Sequence, residues 1–166
     1  MSVNSVQPSW SILIRSPVLM CALGFGAGLV PKAPGTFGTL VAVPIVILLG
    51  QTTYWVLPLT ALLFFAVGIP VCNQASKYYQ AHDHSSIVWD ELVGFMITMS
   101  FVPINLVSLV IGFVLFRIFD ILKPWPISWL DKNVQGSWGI MVDDVAAGLA
   151  ANVCLQLCLW QGWIVS

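Results

Sequence analysis

Charge is scarce in this chain. Asp, Glu, Lys and Arg make up 8% of its 166 residues, about a third of the share usual in soluble domains. The formal net charge is −1, so there is no basic field of the kind nucleic acid needs, and a nucleic-acid partner is excluded. Histidine is nearly as rare, with two residues, and the four cysteines show neither a CxxC pair nor a Cys/His ligand spacing. That argues against zinc and leaves Cys21, Cys72, Cys154 and Cys158 as packing residues. The opening stretch MSVNSVQPSW has no basic segment, so a cleaved signal peptide is not expected.

Apolar sequence fills the space instead: 58% of the residues are hydrophobic and the mean hydropathy is +0.92. Such a chain is read as a membrane protein, with residues 1–166 forming a single domain. Three long intervals carry no charge: Ala33 to Ser76, Leu92 to Phe116 and Val145 to Ser166. The first is too long for one span and is broken by Gly50-Gln-Thr-Thr53, which predicts a helical hairpin. Its ends near Lys32 and Lys77 return to one face, which the positive-inside rule makes cytoplasmic; Arg15, Arg117, Lys123 and Lys132 are expected to join them.

The second interval is read as another hairpin, turning at Val102-Pro-Ile-Asn105, with arms of about 16 residues and so about 24 Å long. Ser85 or Ser86 is the expected N-cap of its first helix, which carries Trp89, Asp90 and Glu91 in the first turn. A last helix from about Asp143 to Ile164 is long enough to cross to the other side. Pro17 to Val30 is short and contains three glycines, so it is expected at the interface or tucked into the bundle. The predicted fold is all-α: a polytopic membrane helical bundle of about four to five hydrophobic segments plus a short N-terminal interfacial segment.

In this topology the few ionisable residues collect on one face: Lys32, then His82, Asp83, His84, Asp90 and Glu91, then Arg117, Asp120 and Lys123, then Asp143 and Asp144. Charges at the edge of hydrocarbon are costly unless paired, hydrated or bound to an ion, so the concentration marks a site. Arg117, Asp120 and Lys123, spaced by three, share a helix face that Pro124 and Pro126 end, opening a loop. Acids at helix starts, as expected for Asp90 and Asp143, also suit the helix dipole. Pro31 to Thr39 sets glycines, threonines and Lys32 directly before a hydrophobic helix, which reads as an anion cradle, though not a Walker A loop. His82 and His84 offer a base, a ligand or a nucleophile, but their spacing is not that of a helical zinc pair.

Four segments in order carry a family resemblance: Gly24-Phe-Gly-Ala-Gly-Leu-Val-Pro-Lys-Ala-Pro-Gly-Thr-Phe-Gly-Thr39, His82-Asp-His-Ser-Ser-Ile-Val-Trp-Asp-Glu-Leu-Val-Gly94, Phe116-Arg-Ile-Phe-Asp-Ile-Leu-Lys-Pro-Trp-Pro-Ile127 and Gly139-Ile-Met-Val-Asp-Asp-Val-Ala-Ala-Gly148. Together they resemble the bacterial phosphatidylglycerophosphatase A family over nearly the whole chain. The resemblance implies an all-helical, Mg2+-dependent hydrolase of the bacterial inner membrane. Its substrate would be a phospholipid in the bilayer, phosphatidylglycerophosphate, converted to phosphatidylglycerol and phosphate.

The family's acidic positions fall on Asp90, Glu91, Asp120, Asp143 and Asp144. From this we expect Asp90, Asp120, Asp143 and Asp144 to hold one or two Mg2+ ions. A metal-activated water attacks phosphorus, and Glu91 orients or deprotonates it; Asp90 and Asp144 count among the catalytic positions. Lys32, Gly35, Thr36, Gly38, Thr39, Arg117 and Lys123 are expected to grip the phosphate. An aspartyl-phosphate route is the mechanistic rival. A phosphatase for another lipid phosphate, or a small cation transporter built on the acids, are the alternative functions. The transporter reading suffers because acids at helix ends are far from the bilayer midplane.

Overall fold

A computed structural model describes residues 7–81 and 83–163, and every regular element among them is a helix. Two short helices, α1 (Trp10–Arg15) and α2 (Pro17–Ala22), lead into a 3-10 turn at Gly24–Leu29. Pro17 opens α2 where its missing N–H is no loss, and Ser16 accepts from the Leu19 N–H at 3.5 Å. Leu13, Leu19, Ala22 and Leu23 are buried in one cluster with Val71, Cys72, Ala75 and Tyr79. The segment from Pro17 is therefore tucked into the bundle.

The first hairpin pairs α3 (Pro34–Gly50) with α4 (Val56–Tyr79). Left-handed residues bound it: Ala33 (φ 53°) precedes α3, and Gln80 (φ 53°) ends α4 by donating to the Lys77 and Ser76 carbonyls. The second hairpin pairs α5 (Trp89–Thr98) with α6 (Leu106–Leu122), turning where Pro103 and Asn105 predict it. Asn105 and Ser108 form a reciprocal capping box, and Lys123 (φ 42°) stops α6 just before Pro124.

Four expectations are corrected here. The arms of the second hairpin are unequal, since α5 has only 10 residues and α6 has 17. The cause is tertiary, because α8 (Gly136–Trp160) satisfies the carbonyls that the early end of α5 strands in apolar surroundings. Asn152 donates to the Thr98 and Ser100 carbonyls at 2.8 and 2.9 Å, and Gln156 to the Phe101 carbonyl at 3.1 Å. No serine caps α5. Val88 stands at the N-cap position, and Ser86 instead accepts from the Gln7 amide at 2.9 Å. Pro126 opens a short helix, α7 (Ile127–Asn133), rather than a loop. Finally, α8 begins at Gly136, so Asp143 and Asp144 sit in its interior and the first-turn dipole argument for Asp143 does not apply.

The two turns at residues 51–55 and 99–105 meet at one end of the bundle, where the Phe101 ring lies 5.2 Å from Trp55 and 6.4 Å from Tyr54. The start of α3, the end of α4, residues 83–88, Lys123, α7 and the start of α8 occupy the opposite end. Phe95, Met96, Met99, Phe116 and Leu155 are fully buried, while Leu59, Leu62, Leu106, Val110, Leu149 and Val153 face outward. That outward-facing apolar coat reverses the soluble pattern. Helices α4 and α8 are long and apolar enough to cross a membrane, and α3 is apolar but shorter. On α8 the exposed Trp138 and Trp160 are about 33 Å apart along the axis, close to the ~30 Å of a bilayer's hydrocarbon core.

Candidate active site

Asp90 and Glu91 stand in the first turn of α5. Asp144 of α8 comes against them because the two backbones nearly touch one turn further along. A Cβ on Gly148 would run into the Gly94 carbonyl, and one on Gly94 would lie 2.9 Å from the Asp144 carbonyl oxygen. Only glycine permits that approach. As a result, one carboxylate oxygen from each of Asp90, Glu91 and Asp144 lies within 4.8 Å of the other two.

The last turn of α6 brings in Asp120, with Arg117 one turn earlier at 2.6 Å; Arg117 also stands 4.0 Å from Glu91. Asp143 is held at 2.5 Å by Lys123, which pairs equally closely with Asp131 of α7. Burial works against the Lys123 charge, but these two carboxylates outweigh it and hold the ammonium above the ordinary lysine range. All of these but Asp131 line a cavity of about 220 Å3, which has six carboxylates, Asp83 included, and two cations, Arg117 and Lys123.

That imbalance matters because the acids are shielded from water: Asp90, Asp143 and Asp144 are 8%, 5% and 3% exposed. Asp90 Oδ1, Glu91 Oε2, Asp143 Oδ1 and Asp144 Oδ2 are buried without a hydrogen-bond partner. Buried polar atoms are normally paired. An all-oxygen donor set with unused lone pairs suits a hard divalent cation such as Mg2+, and the chemistry of these residues fits that ion.

The expected phosphate-binding residues divide. Gly35 lines the cavity, and a Cβ there would overlap Glu91 and come within 3.1 Å of the Arg117 guanidinium. Arg117 and Lys123 also line it. Thr36 instead faces an adjoining apolar groove. Gly38 is buried against Val88, and Thr39 is buried and donates to the Gly35 carbonyl at 2.9 Å. Lys32 is exposed and lies outside the lining of the cavity. His84 stacks flat on Tyr79 at 3.8 Å, and its Nδ1 accepts from the Ser86 N–H at 3.2 Å. Burial lowers its pKa, with Asp83 pulling the other way. His82 lies outside the described residues.

Residues 20–159 match the pattern of the family described as Phosphatidylglycerophosphatase A. The chain belongs to the phosphatidylglycerophosphatase A family. It is an enzyme of the phosphatase class. Among its relatives is the "Phosphatidylglycerophosphatase A" of Escherichia coli K12, 45% identical over 137 residues that cover 82% of this chain and 80% of that one. The Haemophilus influenzae protein of the same name is 39% identical, covering 89% of this chain and 91% of its own. A Bacteroides thetaiotaomicron relative, 38% identical over 87% of this chain and 94% of its own, carries a different name, "Putative phosphatidylinositol-3-phosphatase". No solved structure matches this chain.

Several participants in the site carry no catalytic or binding signal in the sequence. Gly94 and Gly148 each follow an acid, Asp90 and Asp144, by four residues, a spacing that marks one helix face and could have been noticed. Asp83 and Ser85 line the cavity and Asp131 anchors Lys123. Asp83 stands in the ionisable cluster of the sequence and Ser85 is a cap candidate there, but the cavity-lining place of these two and the Lys123 contact of Asp131 depend on how the segment before α5 and the helix α7 fold back.

Proposed function

We propose that this chain is a Mg2+-dependent lipid phosphatase that hydrolyses phosphatidylglycerophosphate to phosphatidylglycerol and phosphate. It would act as a multi-pass protein of a bacterial inner membrane, with its site at the cytoplasmic face. The observation that carries this reading is the group of partnerless buried carboxylate oxygens on Asp90, Glu91, Asp143 and Asp144 beside Arg117. A doubly charged phosphate would be repelled by six carboxylates unless cations accompanied it. Mg2+ held by Asp90, Asp120, Asp143 and Asp144 would supply charge neutralisation at the phosphoryl oxygens and acidify the attacking water.

The chain's own groups do the rest. Arg117 and the first-turn N–H of Gly35, which the helix itself cannot use, bind phosphoryl oxygens. Glu91, with Oε2 unpartnered, takes the proton from the attacking water. The bond between phosphorus and the glycerol oxygen breaks, the leaving oxygen takes up a proton to balance the one given to Glu91, and the alcohol departs as phosphatidylglycerol. Lys123 positions Asp143 rather than standing free for substrate, since it is already engaged twice. Membrane placement is supported by Lys32, Lys77, Lys123 and Lys132, all at the site end of the bundle, as the positive-inside rule expects for a cytoplasmic face.

The Bacteroides relative's name favours a second reading, hydrolysis of another lipid phosphomonoester by the same centre. Phosphate release from phosphatidylglycerophosphate, phosphatidic acid and phosphatidylinositol 3-phosphate, with Mg2+ and with chelator, separates the two. We expect phosphatidylglycerophosphate to be preferred, turnover to need Mg2+, and Asp144→Asn to lose about a hundredfold or more. Equal turnover in chelator, or an unaffected Asp144→Asn enzyme, overturns the centre described above.

A further inference from the structure

An apolar groove of about 360 Å3 lies between α3 and α6, lined by Thr36, Phe113, Val114, Ile118 and Ile121, and it shares Arg117 with the acidic cavity. Three other grooves of similar size, between α4, α5 and α8, at the turns of the far end, and beside α2, share no residue with that cavity. The groove exists because α3 packs mainly on α5 and the 3-10 turn, α6 packs mainly on α8, and the two barely touch each other. Val114, Ile118 and Ile121 are about half exposed or more, presenting an apolar trough on the bilayer side of the bundle. Arg117 sits at the junction, and its Nε is buried with no hydrogen-bond partner.

We infer that the α3–α6 groove holds the diacylglycerol part of the substrate, with the terminal phosphate in the acidic cavity and Arg117 at the junction between them. This rests on the lipid-phosphatase reading above and deepens it by naming the route from bilayer to site. A diacyl lipid whose headgroup ends in a phosphomonoester must present a dianion and apolar chains at once. A site taking it needs a polar, cation-ready chamber opening directly onto lipid, and among these grooves only this one meets the cavity. The first phosphate of the substrate, a phosphodiester between the two glycerols, then falls at the junction, where the unused Nε–H of Arg117 can donate to it. Thr36, one residue beyond the cavity-lining Gly35, offers its hydroxyl at the level of the glycerol esters. Shape on the bilayer side, rather than the acids, would thus select lipid over soluble phosphate esters.

The test compares wild type, Val114→Trp, which fills the groove, and Leu149→Trp, which fills the groove between α4 and α8, in proteoliposomes. Each is assayed on dioleoyl phosphatidylglycerophosphate and on its deacylated counterpart. The ratio of kcat/KM for the two substrates should fall about tenfold in Val114→Trp and stay at the wild-type value in Leu149→Trp. An unchanged ratio in Val114→Trp, or an equal fall in Leu149→Trp, overturns the assignment. A second measurement on the wild-type protein uses a phosphatidic acid carrying a diazirine on one acyl chain. Cross-links should concentrate on Phe113 to Leu122; concentration on α4 or on the later half of α8 overturns the inference. Absence of phosphate release from any lipid by wild type would instead count against the activity, while the cross-linking result still decides the groove.

Discussion

Lys123 joins two carboxylates from different helices, Asp131 and Asp143, at 2.5 Å each, and its charge is what lets Asp143 be buried. Replacing it by methionine leaves that acid without a counterion. Removing one partner of a fully buried pair costs about 3–5 kcal/mol, and a quarter of the Lys123 side chain is still exposed, so we expect about 2 kcal/mol. Thermal unfolding in detergent should show Lys123→Met melting several degrees below wild type in chelator, with Mg2+ restoring much of the loss and Lys123→Arg staying close to wild type. A melting point unchanged by Lys123→Met would mean that the ion pair does not support Asp143. Residues of this kind were legible in part. In a chain with so little charge, Asp90, Glu91, Arg117, Asp120, Lys123, Asp143 and Asp144 stand out, and all seven line one cavity. The amides of Asn152 and Gln156, which act on backbone, and of Gln7, which meets the Ser86 hydroxyl, did not stand out, because an amide in a sequence says nothing of which stranded carbonyl or hydroxyl it will meet.

Helix α5 owes its length and its position to α8. Asn152 and Gln156 terminate it at one end, and the Gly94–Gly148 contact clamps it one turn from the acids at the other. Gly148→Ala places a methyl group into the Gly94 carbonyl, which must move by an ångström or more, and the Asp144 carboxylate then parts from Asp90 and Glu91. We expect kcat to fall by about a hundredfold, since misplacement of that size has that cost, while Leu149→Ala on the outward face keeps wild-type turnover. Wild-type kcat in Gly148→Ala would show that the close approach is not what assembles the acids. The hairpin turns were readable because Gly50-Gln-Thr-Thr53 and Val102-Pro-Ile-Asn105 carry their own turn chemistry. The short α5, the helix α7 and the early start of α8 were not, since each is set by partners 50 or so residues away or by packing of a segment that is weakly helical alone.

Taken together the bundle is polar at one end and apolar around its waist, and this polarity is what the activity requires. Helices α3, α4, α5, α6 and α8 run between the two ends, so the turns after α3 and after α5 lie opposite the acidic cavity, as does Trp160. The charge pattern made this legible from the sequence: Lys32 and Lys77 bracket a long uncharged hairpin, and the remaining cations fall on the same side of each later turn. Which groove leads from the lipid to the cavity was not legible, because it depends on two helices that are far apart in sequence failing to close. The orientation has a direct check. Single cysteines replace Gln135, at the start of α8, or Gln51, in the turn after α3, both exposed, in a background where the four native cysteines are alanine. A membrane-impermeant maleimide added to intact spheroplasts should label Gln51→Cys and spare Gln135→Cys; inverted vesicles should show the reverse. Labelling of both from one side would place both ends of the bundle in the same compartment. The carboxylates would then have no separate cytoplasmic chamber in which to meet the headgroup, and the groove between α3 and α6 would open onto something other than the bilayer.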